Sequence, residues 1–167
     1  MEIAYRKPTS ADGSAVHTLI SQCPPLDTNS LYCNLLQCTD FAETSIVAED
    51  AQGEVVGFIS GYTPAKRLDT LFVWQVALSS KCRGQGVASQ MLTRLFHRNE
   101  NLHFMETTIS PSNGASQKLF ERFFKAHHMH FETSVLFARD VHFDGEHEDE
   151  VLYRAGPTKQ FTPILAG

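Results

Sequence analysis

Short β-rich runs alternate along the chain with segments in which apolar residues recur at helical spacing. Runs typical of strands are rich in β-branched and aromatic residues and are bounded by turn formers. They cover residues 4–8, 44–50, 54–62, 70–78, 103–109, 130–139 and 151–155. The sequence Ala-Gln-Gly at 51–53 separates the second run from the third, so these two runs are predicted to form a hairpin.

Helical periodicity appears in four segments. The first follows Thr9 and Asp12, which have the spacing of a capping box, and the second follows the cap candidates Asp27, Thr28 and Asn29. The third follows a glycine-rich turn at 79–86, and the fourth follows "SPSN" at 110–113. Their predicted apolar faces are Val16, Leu19, Ile20 and Cys23; Leu31, Leu35 and Leu36; Val87, Met91 and Leu95 beside Ala88, Leu92 and Phe96; and Ala115, Leu119 and Phe123 beside Phe120 and Phe124.

The order of these elements is β-α-α-β-β-β-α-β-α-β-β. It predicts the α/β class, with a single domain built on a mixed central sheet that is flanked by helices. A charged loop at 140–150 separates the last two strands. We expect the domain to span 1–156 and residues 157–167 to form a loosely held C-terminal tail.

Amino-acid composition argues against several classes of partner. The chain of 167 residues is 42% hydrophobic and 20% charged, as is typical of a soluble globular protein. Its net charge of −5 and the lack of a basic cluster argue against a nucleic-acid partner. No apolar run reaches transmembrane length and no export signal opens the chain, so we expect a cytoplasmic protein with no membrane partner.

Metal ligation is not expected. The cysteines match no zinc pattern and are predicted to be reduced thiols. They are Cys23, Cys33, Cys38 and Cys82. The sequence "HHMH" at 127–130 contains adjacent histidines, which alone do not make a coordination site.

The glycine-rich turn at 79–86 is predicted to bind an anion. It joins a strand to a helix start, where unpaired backbone N–H groups and the helix dipole favour negative charge. Glycines let the backbone curl around a phosphate, and Arg83 adds a planar set of donors. The turn lacks the Gly-Lys-Ser/Thr of a P-loop, and it meets the dinucleotide fingerprint only in part. A purely structural turn remains an alternative.

The sequence "RGQGVA" at 83–88 resembles the acetyl-CoA pyrophosphate loop of the GCN5-related N-acetyltransferases, and the element order resembles that fold across nearly the whole chain. The resemblance implies acetyl-CoA as co-substrate, with the pantetheine arm bonded to the backbone of strand 70–78. It assigns these residues to the cofactor: Val76 and Leu78; Arg83, Gly84, Gln85, Gly86, Val87 and Ala88; and, from "NGASQKLFERFF" at 113–124, Asn113 and Ser116. Phe120 stands where many members have a tyrosine that protonates the leaving thiolate.

An amine acceptor arrives as an ammonium with a pKa of about 10, so a base must remove a proton. Carboxylates and aromatic faces suit such a cation. Asp27 lies in the proline-stiffened stretch "CPPLDTNS", and Trp74 lies on the strand that leads to the glycine turn. Phe72 and Val76 share the face of Trp74 by alternation. A helix cap remains the alternative for Asp27 and a core position the alternative for Trp74.

Four stretches together resemble, within this superfamily, the L-2,4-diaminobutyrate N-acetyltransferases of ectoine synthesis. They are "RKPTSADGSAVHTLI" at 6–20, "CPPLDTNSLY" at 23–32, "FVWQVALSSKCRGQGVASQML" at 72–92 and "HEDEVLYR" at 147–154. The resemblance implies a small diamine substrate, acetylation of its 4-amino group by direct attack in a ternary complex, a homodimer and a role in osmotic stress. Alternatives are another small amine and a non-catalytic acyl-CoA sensor.

The same resemblance assigns four residues to the substrate side: Asp27, Trp74, His147 and Glu150. Glu150 and Asp27 are the catalytic candidates, and the choice of base between them stays open. Any residue of "GEHEDE" at 145–150 could instead belong to a solvated acidic loop. Arg67 is a candidate for binding the substrate carboxylate.

Overall fold

The computed structural model describes residues 1–158, so residues 159–167 of the predicted tail lie outside the described residues. The strands are β1 Ala4–Arg6, β2 Ile46–Glu49, β3 Val55–Tyr62, β4 Thr70–Leu78, β5 Phe104–Ile109, β6 Phe131–Phe137 and β7 Glu150–Ala155. The helices are α1 Gly13–Ser21, α2 Leu31–Cys38, α3 Val87–His97, α4 Gly114–Ala126 and the short α5 Arg139–His142. Every predicted strand and helix is therefore present, and α5 is an addition.

The seven strands form one mixed sheet in the order β1-β2-β3-β4-β5-β7-β6. Its contacts divide into two compact units, and β4 begins in the second and ends in the first. Among the described residues, the first unit contains Met1–Thr63 and Val73–Asn99, and the second contains Pro64–Phe72 and residues 100–158. The predicted α/β fold class is confirmed.

Helices cover both faces of the sheet in the first unit. β1, β2 and β3 pair antiparallel, and β2–β3 is the predicted hairpin. Phe58 of β3 is fully buried in a cluster with Val16 and Ile20 of α1. The neighbouring Gly57 lies so close to Met91 of α3 that an added Cβ would fall 2.9 Å from its sulfur. Because successive strand residues point to opposite faces, α1 and α3 lie on opposite sides of β3.

The second unit is built on β5, β7 and β6, which pair antiparallel in that order. Phe120, Phe123 and Phe124 of α4 are buried, and the ring of Phe124 lies 5.4 Å from that of Phe131 on β6. From Glu132 to Phe137, however, every residue of β6 is exposed. A strand exposed on both faces is unusual in a monomeric globular protein.

Two details of α2 differ from the sequence prediction. The cap is Ser30, whose Oγ accepts a hydrogen bond from the Cys33 N–H at 3.0 Å, and not Asp27, Thr28 or Asn29. Of the predicted face, Leu31 is exposed and Leu35 and Leu36 are only half-buried, although Leu35 packs against Gly13 of α1.

The buried residues of α2 are Asn34, Gln37 and Cys38. Asn34 donates from Nδ2 to Gln37 Oε1 at 2.9 Å, and its Oδ1 lies 2.8 Å from His17 Nδ1 of α1. A polar pair can be buried here because its members bond to each other and Asn34 also contacts His17 of α1.

Candidate active site

The glycine turn adopts a conformation that requires glycine at two positions. Gly84 and Gly86 have φ values of +77° and +74°, in the left-handed region that other residues rarely enter. Gly86 is the residue that caps α3. An added Cβ at either glycine would meet nothing within 4 Å, so the surroundings of both residues are open.

The turn therefore presents a clear approach to the N-terminus of α3. The N–H groups of the first helical turn, which includes Val87 and Ala88, have no partner inside the helix. Arg83 and Gln85 are exposed, and Gln85 Nε2 donates to the Lys81 carbonyl at 3.0 Å. Open glycines, a guanidinium and a helix start are the donor set that a diphosphate requires.

Strand β4 leads into this turn. Leu71, Val73 and Ala77 are buried, whereas Phe72, Trp74 and Val76 alternate with them on the more accessible face. At the end of the strand, the Leu78 carbonyl accepts a weak hydrogen bond from Cys23 Sγ at 3.4 Å.

Trp74 belongs to a surface cluster of three aromatic rings and not to the core. It is 39% exposed. The Phe41 and Tyr62 rings meet it edge-on, with centroids 6.2 Å and 6.0 Å away, and they lie 6.2 Å from each other. Aromatic faces grouped in this way attract an ammonium group.

Asp27 lies in the exposed segment between α1 and α2, in the same unit as Trp74. Its backbone carbonyl accepts a hydrogen bond from Gln75 Nε2 at 2.9 Å. Gln75 follows Trp74 directly on β4, but its side chain points to the opposite face of the strand, so this bond ties the Asp27 segment to β4 without placing it against the Trp74 ring.

His147 and Glu150 come together in the second unit. His147 Nδ1 lies 2.7 Å from the Glu148 carbonyl, which can only accept, so Nδ1 carries a proton. The other ring nitrogen, Nε2, lies 3.8 Å from Glu150 Oε1. In a neutral ring both atoms are acceptors, so an ammonium group placed between them could donate a hydrogen bond to each. Glu150 belongs to β7 and not to the predicted loop.

Asn113 and Ser116 also lie together, at the start of α4. Asn113 caps the helix by accepting from the Ser116 N–H at 3.1 Å. The adjacent Ser112 donates to the carboxylate of Glu148, which ties this helix start to the segment that contains His147. Phe120 is 2% exposed and serves the core of the unit.

Arg67 is engaged elsewhere. It donates from Nη2 to the buried Glu106 at 2.9 Å, and Arg154 donates to the other carboxylate oxygen at 2.8 Å. Arg154 also reaches Thr70 Oγ1, which in turn donates to Asp69. The positive charges of Arg67 and Arg154 are thus matched by the negative charges of Glu106 and Asp69. This pairing favours a structural role for Arg67.

Among residues 1–158, no group of three or more His, Cys, Asp or Glu side chains is arranged to hold a metal ion. His127 of the "HHMH" sequence stacks on Phe123 at 4.0 Å and bonds to its carbonyl. All four cysteines lie in this described part and are unpaired. None of its helices is long and apolar enough to cross a bilayer.

Comparison with known proteins decides the family. Residues 14–125 match the Acetyltransferase (GNAT) family. An L-2,4-diaminobutyric acid acetyltransferase of Methylotuvimicrobium alcaliphilum is 48% identical over 159 residues, covering 94% of this chain and 92% of the relative. A homologue with the same name from Streptomyces coelicolor is 46% identical and covers 93% and 94%. The chain belongs to the L-2,4-diaminobutyric acid acetyltransferases of the GNAT family.

A solved structure supports this assignment. It is the diaminobutyrate acetyltransferase EctA from Paenibacillus lautus in complex with its substrate L-2,4-diaminobutyric acid and coenzyme A. It is 40% identical, covers 98% of this chain and 99% of its own, and has a TM-score of 0.91. The ribosomal-protein-S18-alanine N-acetyltransferase of Escherichia coli, at 13% identity and a TM-score of 0.74, shares the acetyltransferase fold.

Three residues that surround the candidate site were missed by sequence reasoning. Phe41 and Tyr62 surround Trp74, and Gln75 holds the segment of Asp27. The only signal for Tyr62 was its place at the end of the strand that pairs with the Trp74 strand. Phe41 lies in none of the quoted motifs, and Gln75 lies within the stretch 72–92 without a predicted role, because their contacts arise from packing between distant parts of the chain.

Proposed function

We propose that this protein transfers the acetyl group of acetyl-CoA to the 4-amino group of L-2,4-diaminobutyrate. The observation that carries the proposal is the likeness to a 40%-identical enzyme crystallised with that substrate and coenzyme A, over 98% of this chain. The amine nitrogen attacks the thioester carbonyl and forms a C–N bond. The C–S bond breaks, and the products are N4-acetyl-L-2,4-diaminobutyrate and CoA. A cyclising enzyme then converts the first product into ectoine.

On the cofactor side, the pyrophosphate binds to the turn from Arg83 to Ala88 and to the N–H groups at the start of α3. The pantetheine arm bonds to the backbone of β4 at Val76 and Leu78. Asn113 and Ser116 complete the cofactor side at the start of α4. The open space beside both turn glycines supports the first of these assignments.

On the substrate side, Trp74 with its neighbouring rings borders the aliphatic chain and the ammonium groups. Asp27 binds one ammonium group by charge. Glu150 is the base for the 4-amino group, assisted by His147. The arrangement that supports this choice is the approach of Nε2 and Oε1 to 3.8 Å, which is too long for a hydrogen bond between them but lets both atoms contact one ammonium group.

The leaving thiolate needs little help from an acid. A thiol has a pKa of about 8.5, so the thiolate is a weak enough base to leave before it is protonated. Phe120 in place of a tyrosine is compatible with turnover for this reason.

The protein acts as a homodimer in the cytoplasm, where its product contributes to osmotic protection. Support for dimerisation comes from β6, an edge strand with exposed apolar side chains. They are Val135, Leu136 and Phe137, followed by Val141 in α5, and their exposed fractions are 54%, 40%, 44% and 78%.

Light scattering after gel filtration tests the dimer. A Leu136→Arg variant should elute as a monomer. Leu68→Arg is the matched control, because Leu68 is a singly exposed leucine outside β6. An unchanged dimer in the Leu136 variant would exclude β6 as the interface.

The function is tested with purified protein, acetyl-CoA and L-2,4-diaminobutyrate, by following thiol release and identifying the product by NMR. Ornithine, lysine, spermidine and 1,3-diaminopropane serve as competing acceptors. We expect fast release with diaminobutyrate and the acetyl group on the 4-nitrogen. Preferred turnover of another amine would reject the substrate, and binding of acetyl-CoA without release from any amine would indicate a sensor.

A further inference from the structure

The side chain of Gln75 joins strand β4 to the segment between α1 and α2. Its Nε2 donates to the Asp27 carbonyl at 2.9 Å, and its Oε1 accepts from Asn29 Nδ2 at 3.1 Å. Both ends of the amide are therefore used, and both bonds go to the same stretch of three residues.

Gln75 is itself firmly placed. It lies in the middle of β4, between the buried residues Val73 and Ala77, and its backbone N–H donates to Ser60 Oγ of β3 at 3.2 Å. The amide thus extends from a strand whose position is fixed by its neighbours in the sheet.

The segment that Gln75 holds has no regular secondary structure from residue 27 to residue 30. Its start is held by the Leu26 side chain, which packs on the core, and by the Leu26 N–H, which bonds to the Cys23 carbonyl at 3.0 Å. Ser30 fixes its end by capping α2. Between these points, Asp27 is exposed; Gln75 holds its backbone carbonyl against the strand and accepts a second bond from the Asn29 side chain.

We propose that Gln75 is a positioning residue that sets Asp27 at the correct place for the substrate ammonium. The inference rests on the proposed function, in which Asp27 binds that ammonium. A carboxylate attached to a loosely held backbone would spread over many positions, and a misplacement of about 1 Å is enough to weaken catalysis strongly. The amide of Gln75 supplies both functions, because Nε2 donates to the Asp27 carbonyl while Oε1 accepts from Asn29.

Three variants separate the two bonds. Gln75→Met keeps the length of the side chain and removes both bonds. Gln75→Glu keeps an oxygen for Asn29 but turns a second oxygen toward the Asp27 carbonyl. Asn29→Ala removes only the bond from Asn29 Nδ2 to Gln75 Oε1. Gln52→Met is the matched control, because Gln52 is an exposed glutamine in the β2–β3 turn.

The Michaelis constants for diaminobutyrate and for acetyl-CoA are measured for each variant. We expect Gln75→Met to raise the constant for the amine about 10-fold, a factor that corresponds to about 1.4 kcal/mol. Gln75→Glu should raise it at least as much, Asn29→Ala about 3-fold as the loss of a single neutral hydrogen bond, and Gln52→Met not at all. The constant for acetyl-CoA should change less than about 2-fold throughout, since the pyrophosphate turn is intact.

A double-mutant cycle with Asp27→Asn tests whether Gln75 acts through Asp27. In the Asp27→Asn background, Gln75→Met should have almost no further effect on the amine constant. Full additivity of the two substitutions, or an equal rise in both Michaelis constants, would overturn the inference. If Gln75→Met fails to fold, Asn29→Ala in the exposed segment and its own cycle with Asp27→Asn give the same decision.

The outcomes distinguish this inference from the proposed function. Unchanged amine affinity in Asp27→Asn alone would reject the role of Asp27 and overturn the inference with it. A large effect of Asp27→Asn with wild-type behaviour of Gln75→Met and Asn29→Ala would overturn the inference and leave the proposed function standing.

Discussion

Replacing Gly86 by alanine separates the structural role of the glycine turn from its binding role. Gly86 has a φ of +74°, and an added Cβ would meet no atom within 4 Å. The cost to folding is therefore that of the backbone conformation alone, about 1–2 kcal/mol. For a chain of this size, this cost lowers the melting temperature by about 2–8 °C.

The chain offers a matched control. Gly53, in the β2–β3 turn, has a φ of +78° and equally open surroundings. Gly53→Ala should therefore destabilise the protein about as much as Gly86→Ala. The two variants should differ in cofactor binding, because only the methyl group at Gly86 would occupy space expected to hold the pyrophosphate.

The assay measures the melting temperature and the dissociation constant for acetyl-CoA, the latter by calorimetry. We expect similar melting temperatures for the two variants. Gly86→Ala should weaken acetyl-CoA binding about 10-fold or more, as expected for a loss of about 1.4 kcal/mol, and Gly53→Ala should not. Equal acetyl-CoA affinity in the two variants would refute the assignment of the turn to the pyrophosphate. A much larger destabilisation by Gly86→Ala would refute the argument from open space.

Three further predictions concern other parts of the molecule. Arg83→Ala should raise the Michaelis constant for acetyl-CoA about 10-fold with little change for the amine, because it removes charge-assisted bonds worth about 1.5–3 kcal/mol; an unchanged constant would exclude the phosphate contact. Glu150→Gln should lower turnover about 100-fold with acetyl-CoA binding intact, and normal turnover in stopped-flow assays would place the base elsewhere. Asp12→Asn should lower the free energy of unfolding by about 2 kcal/mol at neutral pH, since Asp12 is buried and accepts two 2.8 Å bonds from Arg6. The hydrogen bonds from Arg6 lower the pKa of the Asp12 carboxyl in the folded protein. This stabilisation is therefore present above the unfolded pKa of about 3.9 and is lost as the pH falls through the folded pKa. Urea titrations in which wild type and Asp12→Asn differ in unfolding free energy as much at pH 3 as at pH 7 would contradict the prediction.

The sequence predicted the strands and helices because their patterns are local. The run at 70–78 coincides with β4, and the two apolar rows after the glycine turn face the core from α3, apart from the half-buried Ala88. The glycine turn could also be predicted from the sequence, because the positive φ values at positions 84 and 86 favour glycine there.

Features that depend on contacts between distant segments could not be predicted. Asn34 and Gln37 read as polar surface positions of α2, yet both are buried, and Asn34 contacts His17 across the helix pair. The bond between Gln75 and the Asp27 carbonyl joins residues 48 positions apart, and a backbone acceptor leaves no mark in the sequence. The charged and aromatic side chains of the candidate site could therefore be predicted from the sequence. The hydrogen bonds and packing contacts that position these side chains could not.

The ion pairs of Glu106 differ from those at the surface in how they respond to salt. Its side chain is 3% exposed, so dissolved ions cannot come between it and Arg67 or Arg154. The pairs Lys7–Glu43 and Lys81–Glu54 are more than half exposed on average and weaken as ionic strength rises. When a cell loses water and its ions become concentrated, the attraction at Glu106 thus remains while surface attractions fade. The bonds from Arg67 and Arg154, which join β5 to the β3–β4 loop and to β7, should therefore persist at ionic strengths that weaken the surface pairs.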